Sequence, residues 1–176
     1  MKFNIIFFIL INLQAAMTIF NFNSESNLTN WRIVHDVVMG GKSDGNFSLN
    51  KVGHGLFKGK VSLENNGGFS MVQYSFDTKN VSDYSKVVLK LKGDGKTYQF
   101  RIKSNNNDYY SYVSSFETTG DWEVIEIPFK EFYAAFRGRK LNQENYPGKQ
   151  MEMVAFLIGN KIAESFELEL ESIVLK

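Results

Sequence analysis

From Phe57 onward the chain keeps a two-residue rhythm. Phe57, Gly59, Val61 and Leu63 alternate with Lys58, Lys60 and Ser62. Alternation of this kind predicts a strand with one buried and one wet face. The rhythm returns in Val72, Tyr74 and Phe76, in Val87, Leu89 and Leu91, in Tyr98, Phe100 and Ile102, and in Phe166, Leu168 and Leu170. Phe69 and Met71 fall on the face opposite Val72, so that strand is expected to be covered on both sides. Apolar runs at 19–22, 31–38, 122–127 and 153–158 predict further strands. Turn chemistry separates them: Asp44-Gly45, Asn66-Gly67, Asp94-Gly95, Asn105 to Asp108 and Gly120-Asp121. Asn66-Gly67 predicts a hairpin, and residues 86–127 predict an antiparallel meander. One stretch reads as helix, FKEFYAAFRGRK (129–140), where Phe129, Phe132 and Phe136 recur at three- and four-residue spacing. The alternation slips before Ile173 and Leu175, which predicts a bulge near Ser172. Many short strands with almost no helix imply two packed antiparallel sheets, a jelly-roll β-sandwich over residues 17–176.

Composition narrows the chemistry. A chain of 176 residues suits one domain. Aromatic residues make up 15% of it, an excess that suits a pleated, half-buried surface. The net charge of +1 provides no broad footprint for nucleic acid or anionic lipid. Cysteine is absent, which removes disulfides, thiolate catalysis and zinc–thiolate sites. Residues 1–16, MKFNIIFFILINLQAA, read as a signal peptide, with Lys2 ahead of an apolar run too short to span a bilayer. The expectation is therefore export, to a periplasm or the exterior. The alternative is a start at Met17 and a cytoplasmic protein.

Two glycine pairs, Gly40-Gly41 and Gly67-Gly68, interrupt strand-like sequence and predict bends. Around the first pair, Asp36 and Met39 are candidate partner contacts; the structural reading, with Asp36 capping backbone N–H groups at a corner, ranks ahead. Around the second pair, Asn65, Asn66 and Phe69 are candidates, and Trp31 opens the segment that contains both. Tyr109, Tyr110 and Tyr112 are a candidate stacking platform for a sugar, although tyrosine is also an ordinary strand residue. His35 and Asp36 are neighbours on a predicted strand and point to opposite faces, so they are not expected to pair as base and orienter. His54 has no partner in sequence. No transition-metal site is expected, while Asp36, Asp44 and Asp77 are candidate calcium ligands without any EF-hand spacing. Glu167, Glu169 and Glu171 read as a solvated face. No nucleophile elbow, P-loop or dinucleotide fingerprint is present, so neither enzyme activity nor a cofactor is expected.

Long motifs then point to a family. Trp31, DVVMGGKSDG (36–45), SLENNGGF (62–69), KGDGKTYQFRI (92–102), Tyr112, Trp122 with IPF (127–129), and FRGR (136–139) together resemble the complex I intermediate-associated protein 30 family. The family usually has an Arg shortly after NGGF, where this chain has Gln73. The resemblance implies a galactose-binding-like jelly roll. It further implies a non-catalytic, chaperone-like or assembly role through binding of a protein partner. Because the same fold serves in carbohydrate-binding modules, an exported sugar-binding module is the alternative.

Overall fold

The alternating positions become paired strands in the computed structural model. It describes residues 15–36 and 40–176, with His35 described by its backbone alone. Met39 and nearly all of the expected signal peptide lie outside the described residues.

Among the described residues thirteen strands follow in chain order: β1 (Met17–Asn21), β2 (Trp31–His35), β3 (Asp44–Leu49), β4 (Gly55–Val61), β5 (Ser70–Asn80), β6 (Lys86–Lys92), β7 (Thr97–Lys103), β8 (Ser111–Glu117), β9 (Trp122–Pro128), β10 (Tyr133–Phe136), β11 (Arg139–Lys140), β12 (Gln150–Ile158) and β13 (Glu164–Leu175). They form two antiparallel sheets. One runs β3-β4-β13-β6-β9, with β1 pairing against β13; the other runs β11-β10-β8-β7-β12-β5-β2. This is a jelly-roll sandwich. Strand β13 is long enough to pair with β4 along Glu164–Leu170 and with β1 along Ser172–Leu175. Its register against β6 shifts between Leu170 and Ser172, where the alternation slips.

The apolar rows of the two sheets meet. Tyr98, Phe100 and Ile102 of β7 and Val154, Phe156 and Ile158 of β12 are fully buried, and so are Phe57 of β4, Leu89 and Leu91 of β6 and Leu168 of β13. Burial of each such side chain is worth about 1.5–3 kcal/mol. An aromatic cluster closes one end: the Trp31 indole stacks on Tyr74 at 5.0 Å and meets Phe20, Phe22 and Phe47 within 6 Å. That cluster joins β2 and β5 of one sheet to β1 and β3 of the other.

Three expectations about local structure are corrected. Asn66-Gly67 is not a hairpin turn, because β4 and β5 belong to different sheets; residues 64–66 form a 3-10 turn that carries the chain across. Residues 86–127 are not a meander: β7 pairs with β8 in one sheet, while β9 returns to β6 in the other. A strand that pairs with its predecessor and one that packs across from it show the same alternation, so the pattern alone cannot separate them. Residues 129–140 are not helical. Phe129–Glu131 is a single 3-10 turn, and β10 and β11 follow as a tight hairpin. Arg137 (φ 48°) and Gly138 (φ 75°) make its turn, which is the backbone that two-residue hairpin loops require. Phe129 and Phe132 do enter the core, whereas Phe136 is exposed.

Two aspartates hold the chain where it crosses between sheets. Asp94 accepts hydrogen bonds from the Tyr98 hydroxyl at 2.9 Å, the Glu167 N–H at 3.0 Å and Lys96 Nζ at 2.5 Å. It thereby ties the β6–β7 crossover to β13. Asp36 does the same nearer the site.

Candidate binding groove

The site begins at Asp36, which has no solvent exposure. Its carboxylate accepts from Ser43 N at 3.1 Å, Ser43 Oγ at 2.5 Å, Gly68 N at 2.6 Å and Phe69 N at 3.2 Å. Burial pushes the Asp36 carboxyl upward, but these hydrogen bonds outweigh it and hold the pKa below the ordinary carboxylate value. One carboxylate thus pins the end of β2, the start of β3 and the loop that carries Asn65 to Phe69. Glycine is needed around it. A Cβ on Gly41 would overlap the Asp36 carboxylate, and one on Gly67 would lie 2.7 Å from Asp36 Oδ2 and 2.8 Å from the Ser62 carbonyl.

The pinned loop forms one wall of a groove on the outward face of the seven-stranded sheet. Register fixes the floor. Val34, Met71, Leu157 and Gln99 form one row across β2, β5, β12 and β7. The next outward row runs Arg32, Gln73, Ala155, Arg101, Val113 and Tyr133. Ser111 and Ala135 are paired beyond it. Leu63, Asn66, Gly67, Gly68 and Phe69 rise on one side, Tyr109 and the Phe136–Gly138 turn on the other, with Gly159 and Lys161 at one end; the enclosed volume is about 880 Å³.

Among the described residues three cations line this groove, Arg101, Arg137 and Lys161, and no carboxylate does. Arg101 sits on the floor, half-buried, in a central strand. Its Nε and Nη2 donate to Gln99 Oε1 at 3.2 and 2.7 Å. Desolvation lowers the Arg101 pKa, with the Tyr133 hydroxyl acting weakly the other way. Three apolar side chains of the walls stand in water: Leu63 is 47% exposed, Tyr109 61% and Phe136 38%. Tyr109 meets Phe136 edge-to-face at 5.2 Å.

The expected site residues divide. Asn66, Gly67, Gly68 and Phe69 line the groove, and Asn65 is exposed beside them in the same turn. Gly40 and Gly41 follow the acid that holds this loop. Trp31 is corrected: its indole is enclosed in the aromatic cluster and presents nothing to a ligand. The tyrosine platform is corrected too. Tyr109 faces the groove, but Tyr112 is buried against Tyr146 in the core, because residues three apart on this strand and its lead-in point to opposite faces. His54 has neighbours the sequence did not reveal: its Nδ1 lies 3.7 Å from Glu169 Oε2, and its ring meets Trp122 edge-on. Glu171 pairs with Lys90. Among the described residues no group of three or more His, Cys, Asp or Glu is placed to hold a metal ion. Arg101, Gln99, Arg137 and Lys161 were not singled out from sequence. Gln99 and Arg101 alternate with the core row of β7, so they read as an ordinary wet face until the opposite wall is known.

Residues 20–170 match the family described as complex I intermediate-associated protein 30. The chain belongs to that family. Two curated members of the complex I intermediate-associated protein 30 family, both mitochondrial, illustrate the distance. The Drosophila melanogaster protein is 28% identical over 143 residues, covering 69% of this chain and 48% of its own length. The Mus musculus protein is 23% identical over 184 residues, covering 92% of this chain and 56% of its own length. This chain therefore spans about half the length of these family members. Among solved structures, the fold is similar to a family 11 carbohydrate-binding module from Clostridium thermocellum in complex with a β-1,3-1,4-mixed-linked tetrasaccharide. The TM-score is 0.61 at 20% identity, over 88% of this chain and 94% of the module. At that identity the likeness is one of fold.

Proposed function

We propose that this chain is a non-catalytic binding domain that serves an assembly-related, chaperone-like role by holding a protein partner in the groove. The observation that carries the reading is the groove itself. A sandwich of this kind buries its apolar residues between the sheets. Here a concave outward face also exposes Leu63, Tyr109 and Phe136 around a floor of paired strands, with one wall pinned by Asp36. Exposed apolar groups gathered in a groove are the usual mark of a partner site. Among the described residues the lining offers three cations and a tyrosine but no carboxylate, His or Cys, the groups that most often move protons near neutral pH. Family membership supplies the assembly context.

The test is a photo-crosslinking amino acid placed at Tyr109, with a second placed at Val124 on the outward side of the other sheet. Crosslinks to a recurring protein from Tyr109 and none from Val124 are expected in cells of the source. Equal or reversed yields would overturn the groove as the partner site. Deleting the gene and resolving respiratory complexes on native gels tests the complex I context: an unchanged level of assembled complex removes it.

One observation favours a second reading, an exported carbohydrate-binding module. Gln99, Arg101 and Ser111 place polar groups on the floor between apolar walls, and the similar module was solved with a tetrasaccharide. Titration with that mixed-linked tetrasaccharide decides it.

A further inference from the structure

Arg101 is a half-buried cation with no acid beside it among the described residues. Its cross-strand neighbours are Ala155 and Val113, neither of which has a polar side chain. The one side-chain acceptor it uses among the described residues is the neutral Gln99 amide, which takes Nε and Nη2. Gln99 lies two residues along the same strand and therefore on the same face, so it sets the plane of the guanidinium and leaves Nη1 directed elsewhere. Arg137 and Lys161 also take part in none of the ion pairs among the described residues, although other lysines do. Both stand in the left-handed region, at φ 48° and 62°, where non-glycine residues are uncommon. Desolvation lowers the Arg101 pKa, which is what a cation feels when nothing compensates its burial.

An unpaired, partly desolvated guanidinium is a standing cost that an incoming carboxylate removes, because arginine's planar fork matches a carboxylate in two parallel hydrogen bonds. A neutral ligand would deepen the desolvation without supplying the charge. Nucleic acid is a poor match, since the chain's net charge is only +1. The floor beside Arg101 is apolar in Val34, Met71 and Leu157, and the wall adds Leu63. Such side chains suit apolar residues better than the hydroxyls of a sugar. We propose that the groove receives a protein segment that mixes acidic and apolar residues and sets a carboxylate on the free edge of Arg101. This inference rests on the groove being the partner site and names the chemistry of what enters it.

The experiment selects peptides from a randomised display library on the full chain and on R101Q. Peptides recovered on the wild type should be enriched in Asp and Glu together with apolar residues. The best of them, synthesised and titrated, should bind R101Q about 10- to 100-fold more weakly, the range for a charge-assisted hydrogen-bonded pair. Its affinity for the wild type should fall as salt rises. The melting temperature of R101Q should equal or exceed that of the wild type, since an uncompensated charge is removed. R101K, which keeps the charge but loses the fork, should retain the fold and bind at an intermediate strength. Selected peptides without acidic enrichment, or equal affinity for R101Q, would overturn the proposal. So would a lowered R101Q melting temperature that R101K restores, because Arg101 would then be structural. If no peptide is recovered but polygalacturonate or the mixed-linked tetrasaccharide binds and shifts groove resonances, the acidic segment is wrong and the groove survives as a site. If none of these probes binds and crosslinks from Tyr109 are also absent, the groove reading itself fails.

Discussion

Ser43, Gly68 and Phe69 all donate to one buried carboxylate, so Asp36 joins three points of the chain across the sandwich edge. Removing it leaves several donors without their acceptor. Asp36→Ala should therefore cost about 2–4 kcal/mol, above the value of a single hydrogen bond. Urea denaturation measures it. The pH dependence has a definite sign. The folded-state pKa lies below the reference of 3.8, so Asp36 contributes stability that is present above that reference and is lost as pH falls through the folded value. The stability of the wild type should accordingly fall at acid pH, below about 4, with a steeper slope than that of Asp36→Asn. Equal slopes for the two proteins would show that Asp36 does not titrate in this way.

The same acid explains a glycine that torsion angles do not. Gly67 has φ −67°, which any residue adopts, yet its Cβ would meet Asp36 and the Ser62 carbonyl. Gly41→Ala and Gly67→Ala should each destabilise by about 1–3 kcal/mol through overpacking. In the Asp36→Ala background the cost of Gly41→Ala should shrink, because the atoms it meets belong to Asp36. Additive losses in a double-mutant cycle would contradict this account. Gly40 (φ 88°) and Gly68 (φ 139°) differ: they have room, and alanine there is opposed by the backbone.

Among the strands, the crossovers carry what pairing alone does not. Between β6 and β7 the chain leaves one sheet for the other, and Asp94 ties it to the Tyr98 hydroxyl and the Glu167 amide. Burial pushes the Tyr98 phenol far above its usual range, with the Asp94 charge beside it adding to the shift, so the group stays a neutral donor. Tyr98→Phe keeps the ring in the core and removes only this donor, so a loss of about 0.5–1.5 kcal/mol is expected in chemical denaturation, up to about 3 if the bond to the Asp94 carboxylate counts at full charge-assisted strength. A loss near zero would mean that water replaces the phenol. Across the β10–β11 turn, Arg137 takes a conformation that asparagine accepts more readily. Arg137→Asn should leave stability unchanged or slightly higher while weakening binding of an acidic segment, which separates the residue's backbone role from its charge.

Taken as one body, the sandwich separates what folds it from what it presents. The core lies between the sheets, and the groove lies on the far side of one of them. Changes to the exposed walls should therefore spare the fold. Tyr109→Ala and Phe136→Ala should each shift stability by no more than about 0.5 kcal/mol, yet the pair should abolish crosslinking of a partner through a probe at Asn66 on the facing wall. By contrast Phe57→Ala, in the fully buried row, should cost about 3–5 kcal/mol. Comparable losses in both sets would mean that the groove walls are structural.

Phe57, Leu89, Phe100 and Leu168 announce their strands from the chain alone, because a two-residue period has one physical meaning whatever lies around it. The fold class and the long family motifs were legible for the same reason: both are written in consecutive residues. Asp36 was legible as a corner acid but its donors were not, since Ser43 and Gly68 are brought to it by chain that first crosses between sheets. Sheet membership escaped because β6 with β9 and β7 with β8 show one alternation whether a neighbour is hydrogen-bonded or packed opposite. The groove escaped more completely. Gln99 and Arg101 are polar residues at outward positions, which on most strands means water. Only the placing of Leu63, Tyr109 and Phe136 around them, from 36–38, 8–10 and 35–37 residues away along the chain, turns that wet face into an enclosed one. Enclosure is a property of distance in space, and no local pattern of residue types encodes it.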